Sequence, residues 1–421
     1  MSAITKPMNR FQLRELRVDN YRCFDELKLP LEEDTTILFA ENGGGKTALL
    51  TALAMGLAVI QRDAPKTLKL NAGRDSRRGV PNDKGALEPA GPCEVTWTAA
   101  VGETETVTWS TAVQSASRRT RDQHREIFEA VERIRVPGVR WPLLAWYSVD
   151  RLGRLHDRRR KVEFTRDRWE GYASALDPNL DEAPLLQWLQ DEFLGDTARR
   201  QQKLPERFFH TAVMEAAVRA TPDVTHAWYD AVEKDPVVRF EDGHVTPWSA
   251  LSDGYHVFIA LVADIARRAV MLNEFDGAEA PARVEGVVLI DELDLHLHPR
   301  WQRVALPRLR EAFPRLQFII STHSPQVLSS AENRQVRRLV NGRLQSDHVF
   351  VEGRDTNAIL REYMHTDDRD GEGTRELQML HDHIDNGRRK EAKKLYSKLL
   401  ARWGDLDPDL IEAKVLLDLE E

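Results

Sequence analysis

The chain has 421 residues and a formal net charge of −8, with 41% hydrophobic and 30% charged residues. This length allows two or three folding units, and the balanced composition excludes disordered, low-complexity and generally polyanion-binding proteins. The two cysteines, Cys23 and Cys93, exclude a disulfide framework and a CxxC metal site and fit a reducing cytoplasm. The longest apolar stretch, residues 49–60, is shorter than the ~18 residues of a membrane span. We therefore expect a cytoplasmic protein without membrane insertion.

Apolar periodicity predicts the elements in chain order. Residues 11–40 alternate as strand, turn and strand, and a hairpin is expected around Gly102, between EVTWTAAV and TETVTWS. Residues 151–235 are basic and predicted helical. From Leu251 onward, helices and apolar strands alternate, which is typical of a largely parallel α/β sheet. Residues after about Val351 are predicted to be helical.

These elements predict four segments. Residues 1–150 form an α/β lobe with an antiparallel β subdomain, and residues 151–245 form a helical basic insertion. Residues 246–350 complete the α/β lobe. Residues 351–421 form a helical docking or assembly segment with an apolar stripe, which either packs on the α/β core or also contacts a partner. The stripe consists of Leu395, Leu399, Leu400, Ile411, Val415 and Leu416.

The first motif lies between a predicted strand and a predicted helix. Residues 40–47, AENGGGKT, match a Walker A loop, with Ala40 where glycine is commoner. Glycine N–H groups and the start of the helix would surround phosphate oxygens, Lys46 would neutralise the β/γ charge, and Thr47 would ligate magnesium. The candidate ATP-binding residues are Asn42, Gly43, Gly44, Gly45, Lys46 and Thr47.

The second motif is the apolar strand 287–290, followed by Asp291 and Glu292, which is a Walker B arrangement. We expect Asp291 to hold Mg²⁺ and Glu292 to be the base that orients the attacking water. A second apolar strand, LQFIIST, runs into His323, which is placed to hydrogen-bond the γ-phosphate. The predicted catalytic residues are Lys46, Glu292 and His323.

Residues 251–255, LSDGY, open a helix between these two motifs. The order of these motifs along the chain resembles the core of ABC-type ATPases. It runs from Walker A through LSDGY to a Walker B that ends in Asp-Glu, and then to the histidine. The resemblance implies an ABC-type P-loop fold with a mixed sheet, ATP and Mg²⁺ as ligands, and a homodimer or higher oligomer. In such dimers Ser252 and Gly254 would cap the γ-phosphate bound to the other subunit. Asp253 and Tyr255 depart from the usual LSGGQ signature, and no glutamine is identified for a Q-loop.

NYRCF at 20–24 and DELDLHLHP at 291–299 resemble the RecF/Rad50/OLD branch. This implies that Arg22 reaches the nucleotide and that Asp294 occupies the D-loop position. The insertion lacks the sustained heptads of an SMC-type coiled coil. With RWEGY at 168–172 and RDTNAILR at 354–361, the whole chain is most similar to the PtuA-like ATPases of Septu and retron anti-phage systems. That similarity implies an HNH nuclease partner and, as a further candidate, a retron reverse transcriptase with its DNA.

Three other sequence patterns have both a functional and a purely structural explanation. Glu352 with Asp368 and Asp370 imitates a TOPRIM nuclease, but 16 positions cannot hold the required strands and helices. His296 and His298 would point to opposite faces of a helix, so a shared metal is not expected.

The third pattern is a basic run from Arg151 to Arg168, with a local charge of +5. It is the candidate nucleic-acid patch, although such runs are often simply solvated.

The function predicted from the sequence is therefore an ATPase that dimerises on ATP and regulates a partner nuclease in anti-phage defence. Three alternatives stay open at this stage. They are a stand-alone RecF-like DNA repair ATPase, an OLD-like ATPase with its own nuclease, and an ATP-operated scaffold with little turnover.

Overall fold

The computed structural model describes residues 10–61, 64–81, 87–114, 120–149, 167–178, 182–346, 349–364, 371–405 and 407–419. The chain divides into two compact units, Met1–Arg354 and Asp355–Glu421. This division falls four residues after the boundary predicted at residues 350/351. Among the helices of the described residues, none combines the length and apolarity needed to cross a bilayer.

The strands are β1 (Phe11–Tyr21), β2 (Phe24–Pro30), β3 (Thr35–Ala40), β4 (Arg78–Pro81), β5 (Leu87–Pro89), β6 (Cys93–Val101), β7 (Glu105–Val113), β8 (Thr120–Gln123), β9 (Leu143–Tyr147), β10 (Val224–Asp230), β11 (Asp235–Phe240), β12 (Val245–Pro247), β13 (Gly286–Ile290), β14 (Leu316–Thr322), β15 (Val336–Val340) and β16 (Arg343–Leu344). The helices are α1 (Lys46–Val59), α2 (Ala72–Asp75), α3 (Arg125–Ile134), α4 (Ala183–Gln201), α5 (Phe209–Ala220), α6 (Asp253–Leu272), α7 (Ala280–Arg283), α8 (Pro299–Ala312), α9 (Pro325–Ser329), α10 (Thr356–Tyr363), α11 (Gly371–Asp385), α12 (Arg389–Trp403) and α13 (Pro408–Leu419).

A mixed six-stranded sheet forms the centre of the first unit, in the order β16-β15-β3-β14-β13-β9. All neighbouring pairs are parallel except β15–β16. Every residue of β3, β9, β13 and β14 is buried, which explains their nearly continuous apolar sequences. Because parallel strands end at the same edge, the segments after β3, β13 and β14 meet there. The predicted α/β class with a mixed sheet is confirmed.

An antiparallel sheet, in the order β2-β1-β6-β7-β8, packs on α1. The predicted hairpin is present as β6 and β7, with Gly102 in the turn at φ +67°. Trp97 of β6 donates its indole N–H to the Ala52 carbonyl of α1 at 2.8 Å. A Cβ on Gly56 would lie 2.6 Å from that indole, so a glycine is required in α1 for this approach.

The insertion differs from the helical prediction for residues 151–245. After α4 and α5, residues 224–247 form the antiparallel sheet β10-β11-β12. β-branched and aromatic residues favour strands here, and Lys234 (φ +54°) and Gly243 (φ +88°) supply the left-handed positions of two turns. The helix after Walker B, which its apolar spacing predicts over residues 296–313, begins later, at Pro299, because His298 is its N-cap residue and accepts the N–H of Arg300 at Nδ1.

The second unit is helical, as predicted. Part of the predicted apolar stripe forms this unit's own core, because Leu399 is buried and Leu395, Leu400 and Leu416 pack against that core. Ile411 and Val415 of α13 remain exposed. The buried members of this core are Leu380, Ile384, Ala392, Leu399, Leu410, Ala413 and Leu417.

Candidate nucleotide-binding and hydrolysis site

The predicted phosphate-binding loop connects β3 to α1, whose first residue is Lys46. Gly43 and Gly45 adopt φ of +77° and +92°, values that favour glycine. A Cβ on Gly45 would also lie 2.4 Å from Cζ of Phe24, and one on Gly44 would lie 2.6 Å from Cβ of Ala40. The close contacts at Gly44 and Gly45 exclude a larger residue there, whereas at Gly43 only the positive φ favours glycine. Asn42 is exposed in this loop.

Lys46 is the central cation of this edge of the sheet. Its side chain folds back over the loop and Nζ donates to the Ala40 carbonyl at 2.9 Å. Burial lowers the pKa of Lys46, whereas the carboxylates of Asp291, Glu292 and Asp294 act in the opposite direction. The ammonium group therefore lies within the electrostatic influence of the Walker B segment. Thr47, the second residue of α1, is exposed.

The Walker B segment follows β13, which is fixed against β9 at both ends. At its start, a Cβ on Gly286 would lie 2.0 Å from the Leu143 carbonyl oxygen, so only glycine fits. At its end, the N–H of Asp291 donates to the Tyr147 carbonyl at 2.8 Å. Asp291 is completely buried, whereas Glu292 is partly exposed and has a left-handed backbone at φ +49°.

Three consecutive residues at the end of β14 contact this segment. The Ser321 hydroxyl donates to Asp291 Oδ1 and accepts from the N–H of Glu292. The Thr322 hydroxyl donates to Asp294 Oδ1, which also accepts the N–H of His323 at 3.3 Å. Sequence reasoning identified His323 but missed Ser321 and Thr322. Their position at the end of an apolar strand, one and two residues before the histidine, was the available signal.

His323 lies near both positively and negatively charged side chains. Burial lowers its pKa, and the positive charge of Lys46 lowers it further. The carboxylates of Asp294, Glu292 and Asp291 oppose this shift without reversing it. The imidazole is therefore mainly neutral near pH 7. The structure brings Lys46, Asp291, Glu292 and His323 into one interacting group.

The β1–β2 turn lies against the phosphate-binding loop, because Cys23 Sγ and the Phe24 ring are the nearest neighbours of Gly45. Arg22 in this turn has φ +49°, and its guanidinium pairs with Asp75 at 3.0 Å. The Asp75 carboxylate is completely buried and is also bound by Arg74. Asp75, which sequence reasoning missed, therefore orients Arg22. Nucleotide contact by Arg22 stays a prediction.

The LSDGY segment occupies a separate place at the start of α6, where Ser252 is the N-cap residue. A Cβ on Gly254 would lie 2.8 Å from the His296 carbonyl oxygen, so this glycine packs on the segment after Walker B rather than on the phosphate-binding loop. The Tyr255 ring packs edge-on against Trp301, with 4.2 Å between ring centroids. Tyr255, which departs from the usual signature residue, therefore has a packing role.

Arg168 is the described end of the predicted nucleic-acid patch. Its guanidinium donates to the carbonyls of Leu272 (2.6 Å) and Val139 (2.8 Å) and lies 4.3 Å from the ring centroid of Trp141. Arg168 is thus a structural anchor of the RWEGY segment, and nucleic-acid binding by the basic run stays a prediction. Residues 151–166 lie outside the described residues, as do Asp368 and Asp370 of the TOPRIM-like pattern.

Within the described ranges, no group of three or more histidine, cysteine, aspartate or glutamate side chains is arranged to hold a metal ion. The predicted Mg²⁺ ligands, Thr47 and Asp291, provide one hydroxyl and one carboxylate. Mg²⁺ prefers such oxygen donors and commonly takes its remaining ligands from phosphate and water. The residues present therefore fit a nucleotide-bound Mg²⁺.

The chain matches models of known protein families. A family model described as "AAA domain, putative AbiEii toxin, Type IV TA system" matches residues 111–329, slightly more than half of the chain. The chain belongs to this AAA-domain family. A second model, described as "AAA domain", matches residues 15–204 of the AAA-domain protein. Together the two models span both Walker motifs, and the prediction of a P-loop ATPase is confirmed.

The AAA-domain protein is similar to several curated proteins. The retron Vc95 probable ATPase of Vibrio cholerae serotype O1 biovar El Tor is 25% identical, over 78% of this chain and 73% of that protein. The retron Ec83 probable ATPase of Escherichia coli is 36% identical, over 40% of this chain and 31% of that protein. The Septu protein PtuA of Bacillus mycoides (strain KBAB4) is 36% identical, over 39% and 24%. The chain thus spans under a third of the last two relatives, and the predicted resemblance to retron and Septu ATPases is confirmed.

Among solved structures, the SMC head bound to the C-winged helix domain of ScpA is 15% identical, with a TM-score of 0.49. The match covers 79% of this chain and 96% of that one.

Proposed function

We propose that this chain binds ATP between the phosphate-binding loop and the Walker B segment and hydrolyses it with Glu292 as the base. The single observation that supports this most is the strand order, which sets β14 between β3 and β13. That order brings a buried lysine, two adjacent carboxylates and a neutral histidine to one edge of the sheet. Phosphoryl transfer needs this combination of positive charge, metal ligands and a water-orienting base.

Each residue has a distinct part in the proposed reaction. Lys46 neutralises charge on the β- and γ-phosphates, and Glu292 accepts a proton from water as the water oxygen attacks the γ-phosphorus. The bond to ADP then breaks and phosphate is released. Thr47 and Asp291 would hold Mg²⁺, which supplies charge neutralisation on the phosphates. His323, being neutral, donates one N–H to the γ-phosphate.

The first test separates binding from turnover. Lys46→Ala should abolish ATP binding, whereas Glu292→Gln should keep binding and reduce turnover at least ~100-fold, because only the second variant retains the phosphate contacts. Fluorescent-nucleotide titration and steady-state phosphate release measure the two quantities. Glu292→Gln turning over ATP at the unmutated rate would show that Glu292 is not the base.

We further propose that Ser252 and Gly254 act on ATP bound to a second copy of the chain. The exposure of Asp253, next to the N-cap Ser252, and the packing of Gly254 away from the phosphate-binding loop support this arrangement. The proposed dimer regulates an HNH nuclease partner, with a retron reverse transcriptase and its DNA as the second candidate partner. The support for this role is the similarity to retron and Septu ATPases.

Mixing Lys46→Ala chains with Ser252→Arg chains tests the shared site. A mixed dimer has one composite site in which the phosphate-binding loop and the signature segment are both intact. ATPase activity should therefore exceed that of either variant alone. Sedimentation of Glu292→Gln protein should also show a tighter dimer with ATP than without it, and an unchanged monomer would contradict the proposal.

A further inference from the structure

We infer that Ser321 is a positioning residue that fixes Asp291 and Glu292 in their working geometry through one hydroxyl group. This inference rests on the proposed function, in which Asp291 holds Mg²⁺ and Glu292 is the base. Neither the Walker motifs nor the signature segment includes Ser321. It lies in the central strand β14, whereas both carboxylates follow the neighbouring strand β13.

The Ser321 hydroxyl contacts two consecutive residues with different groups. Its hydrogen is donated to Asp291 Oδ1, and its oxygen accepts the backbone N–H of Glu292 at 2.8 Å. The Ser321 carbonyl also accepts the N–H of Leu293 at 3.0 Å. One residue therefore holds a side chain and two successive peptide groups of the Walker B segment. The bond between Ser321 and Asp291 is shielded from water, because both residues are completely buried.

The backbone at Glu292 makes such a restraint necessary. With φ at +49°, Glu292 lies in the left-handed region, which a residue with a Cβ adopts only when its surroundings impose it. This conformation turns the chain sharply after Asp291, so that one carboxylate is buried and the next is partly exposed. The N–H bond to Ser321 fixes the peptide at this turn. The same hydroxyl therefore sets the position of the proposed metal ligand and the direction of the proposed base.

Serine is suited to this position because it has one donor and more than one acceptor site on a short side chain. Alanine would remove both bonds, whereas threonine would keep the hydroxyl and adds a methyl group, which β-strands accommodate well. The neighbouring hydroxyl of Thr322 contacts Asp294 instead. The two residues thus have separable partners, although they are adjacent.

Ser321→Ala and Ser321→Thr, with unmutated protein and Glu292→Gln alongside, test the inference. Steady-state phosphate release gives kcat and KM, and titration with the non-hydrolysable analogue AMP-PNP, with Mg²⁺ or with EDTA, gives affinity without turnover. We expect Ser321→Ala to lower kcat about 10- to 100-fold, the loss that a misplaced reacting group causes. Its affinity for AMP-PNP in EDTA should stay within about twofold of the unmutated value, whereas the gain in affinity on adding Mg²⁺ should be largely lost. Ser321→Thr should recover most of both properties.

Thr36→Val is the matched control. It removes another buried hydroxyl from the same sheet, one that accepts the N–H of Glu32 at 2.8 Å near the opposite end of β3. This variant should keep kcat and the Mg²⁺-dependent gain while losing thermal stability.

Three results would overturn the inference. They are unmutated turnover in Ser321→Ala, an equal loss of AMP-PNP affinity with and without Mg²⁺, and Ser321→Thr as impaired as Ser321→Ala. If Glu292→Gln hydrolyses ATP normally, the proposed role of Glu292 as the base fails, whatever Ser321→Ala does. If Glu292→Gln is inactive and Ser321→Ala is not, only the role of Ser321 is refuted.

Discussion

The substitution Asp264→Asn should destabilise the first unit strongly, because Asp264 is a buried anion between two buried arginines. Its Oδ1 accepts from Arg267 at 2.6 Å and its Oδ2 accepts from Arg268 at 2.7 Å. Oδ2 also accepts the hydroxyl of Tyr147 at 2.9 Å. Asp264, Arg267 and Arg268 are 1%, 5% and 3% exposed. Asparagine has nearly the same shape but would leave two guanidinium groups without their counter-charge.

The expected loss of stability follows from the burial of these charged groups. Removing one partner of a buried ion pair costs about 3–5 kcal/mol, because the remaining charge cannot regain water. For a unit of 354 residues, about 2.1 cal/mol/K per residue corresponds to an unfolding entropy of about 0.7 kcal/mol/K. The expected fall in Tm is therefore about 4–7 °C.

The effect should also depend on pH in a defined direction. Burial would raise the pKa of Asp264, but Arg268 and Arg267 outweigh it and hold that pKa well below its usual range. The ionised carboxylate therefore stabilises the fold fully above the unfolded pKa of about 3.9 and loses this contribution as the pH falls through the lower folded pKa. The difference between the two proteins should be complete at neutral pH.

Differential scanning calorimetry of both proteins at neutral pH gives the measurement. Asp276→Asn is the matched control, since Asp276 is paired at 2.7 Å with Arg140, whose side chain is 18% exposed and can regain water. The control should lose clearly less stability than Asp264→Asn. Equal losses in the two variants, or a shift under ~1 °C for Asp264→Asn, would refute the reasoning from buried charge.

Three further predictions concern the site and the unit boundary. Gly45→Ala should abolish nucleotide binding in a fluorescent-nucleotide titration, because a Cβ at this position collides with Phe24. Gly43→Ala should still bind nucleotide measurably, because nothing lies within 4 Å of a Cβ there. Equal binding by the two variants would contradict this prediction. Any decline in ATPase activity that comes from protonation of His323 should begin at a lower pH than an ordinary histidine would give, because burial and the charge of Lys46 lower the pKa of His323. His323→Gln should remove that decline, and a decline that persists in this variant would belong to another group. A chain ending at Arg354 should remain folded by circular dichroism and bind ATP like the full chain, and loss of the fold would show that the two units depend on each other.

The parts of the fold that the sequence predicted are those encoded locally. The phosphate-binding loop, Asp291, Glu292 and His323 each follow an apolar strand directly, and parallel strands carry such residues to one edge. Strand β15 was not predicted because its sequence, VRRLV, places two arginines inside it. One of them, Arg337, is paired with Glu32, about 300 residues away in the chain, and a pairing of that length has no local signature.

The same distinction explains the site residues that were missed. Ser321 is one serine among many until the neighbouring strand is known to end in Asp291 and Glu292. Asp75 is likewise identified only by its pairing with Arg22 across the β1–β2 turn. In the insertion, residues 224–247 follow two helices and lack a long apolar run, so their pairing as strands emerged only in the structure.

The sheet order also has a consequence for how this protein is made on the ribosome. Strand β3 pairs with β14 and β15, and the first of these partners is synthesised about 280 residues later. At about 5–20 residues per second, the completely buried strand β3 waits roughly 14–60 s for the first of these partners. Contacts of such long sequence separation also slow folding. During synthesis strand β3 is therefore an apolar segment without its sheet neighbours, which is the kind of exposed surface that makes a nascent chain prone to aggregation.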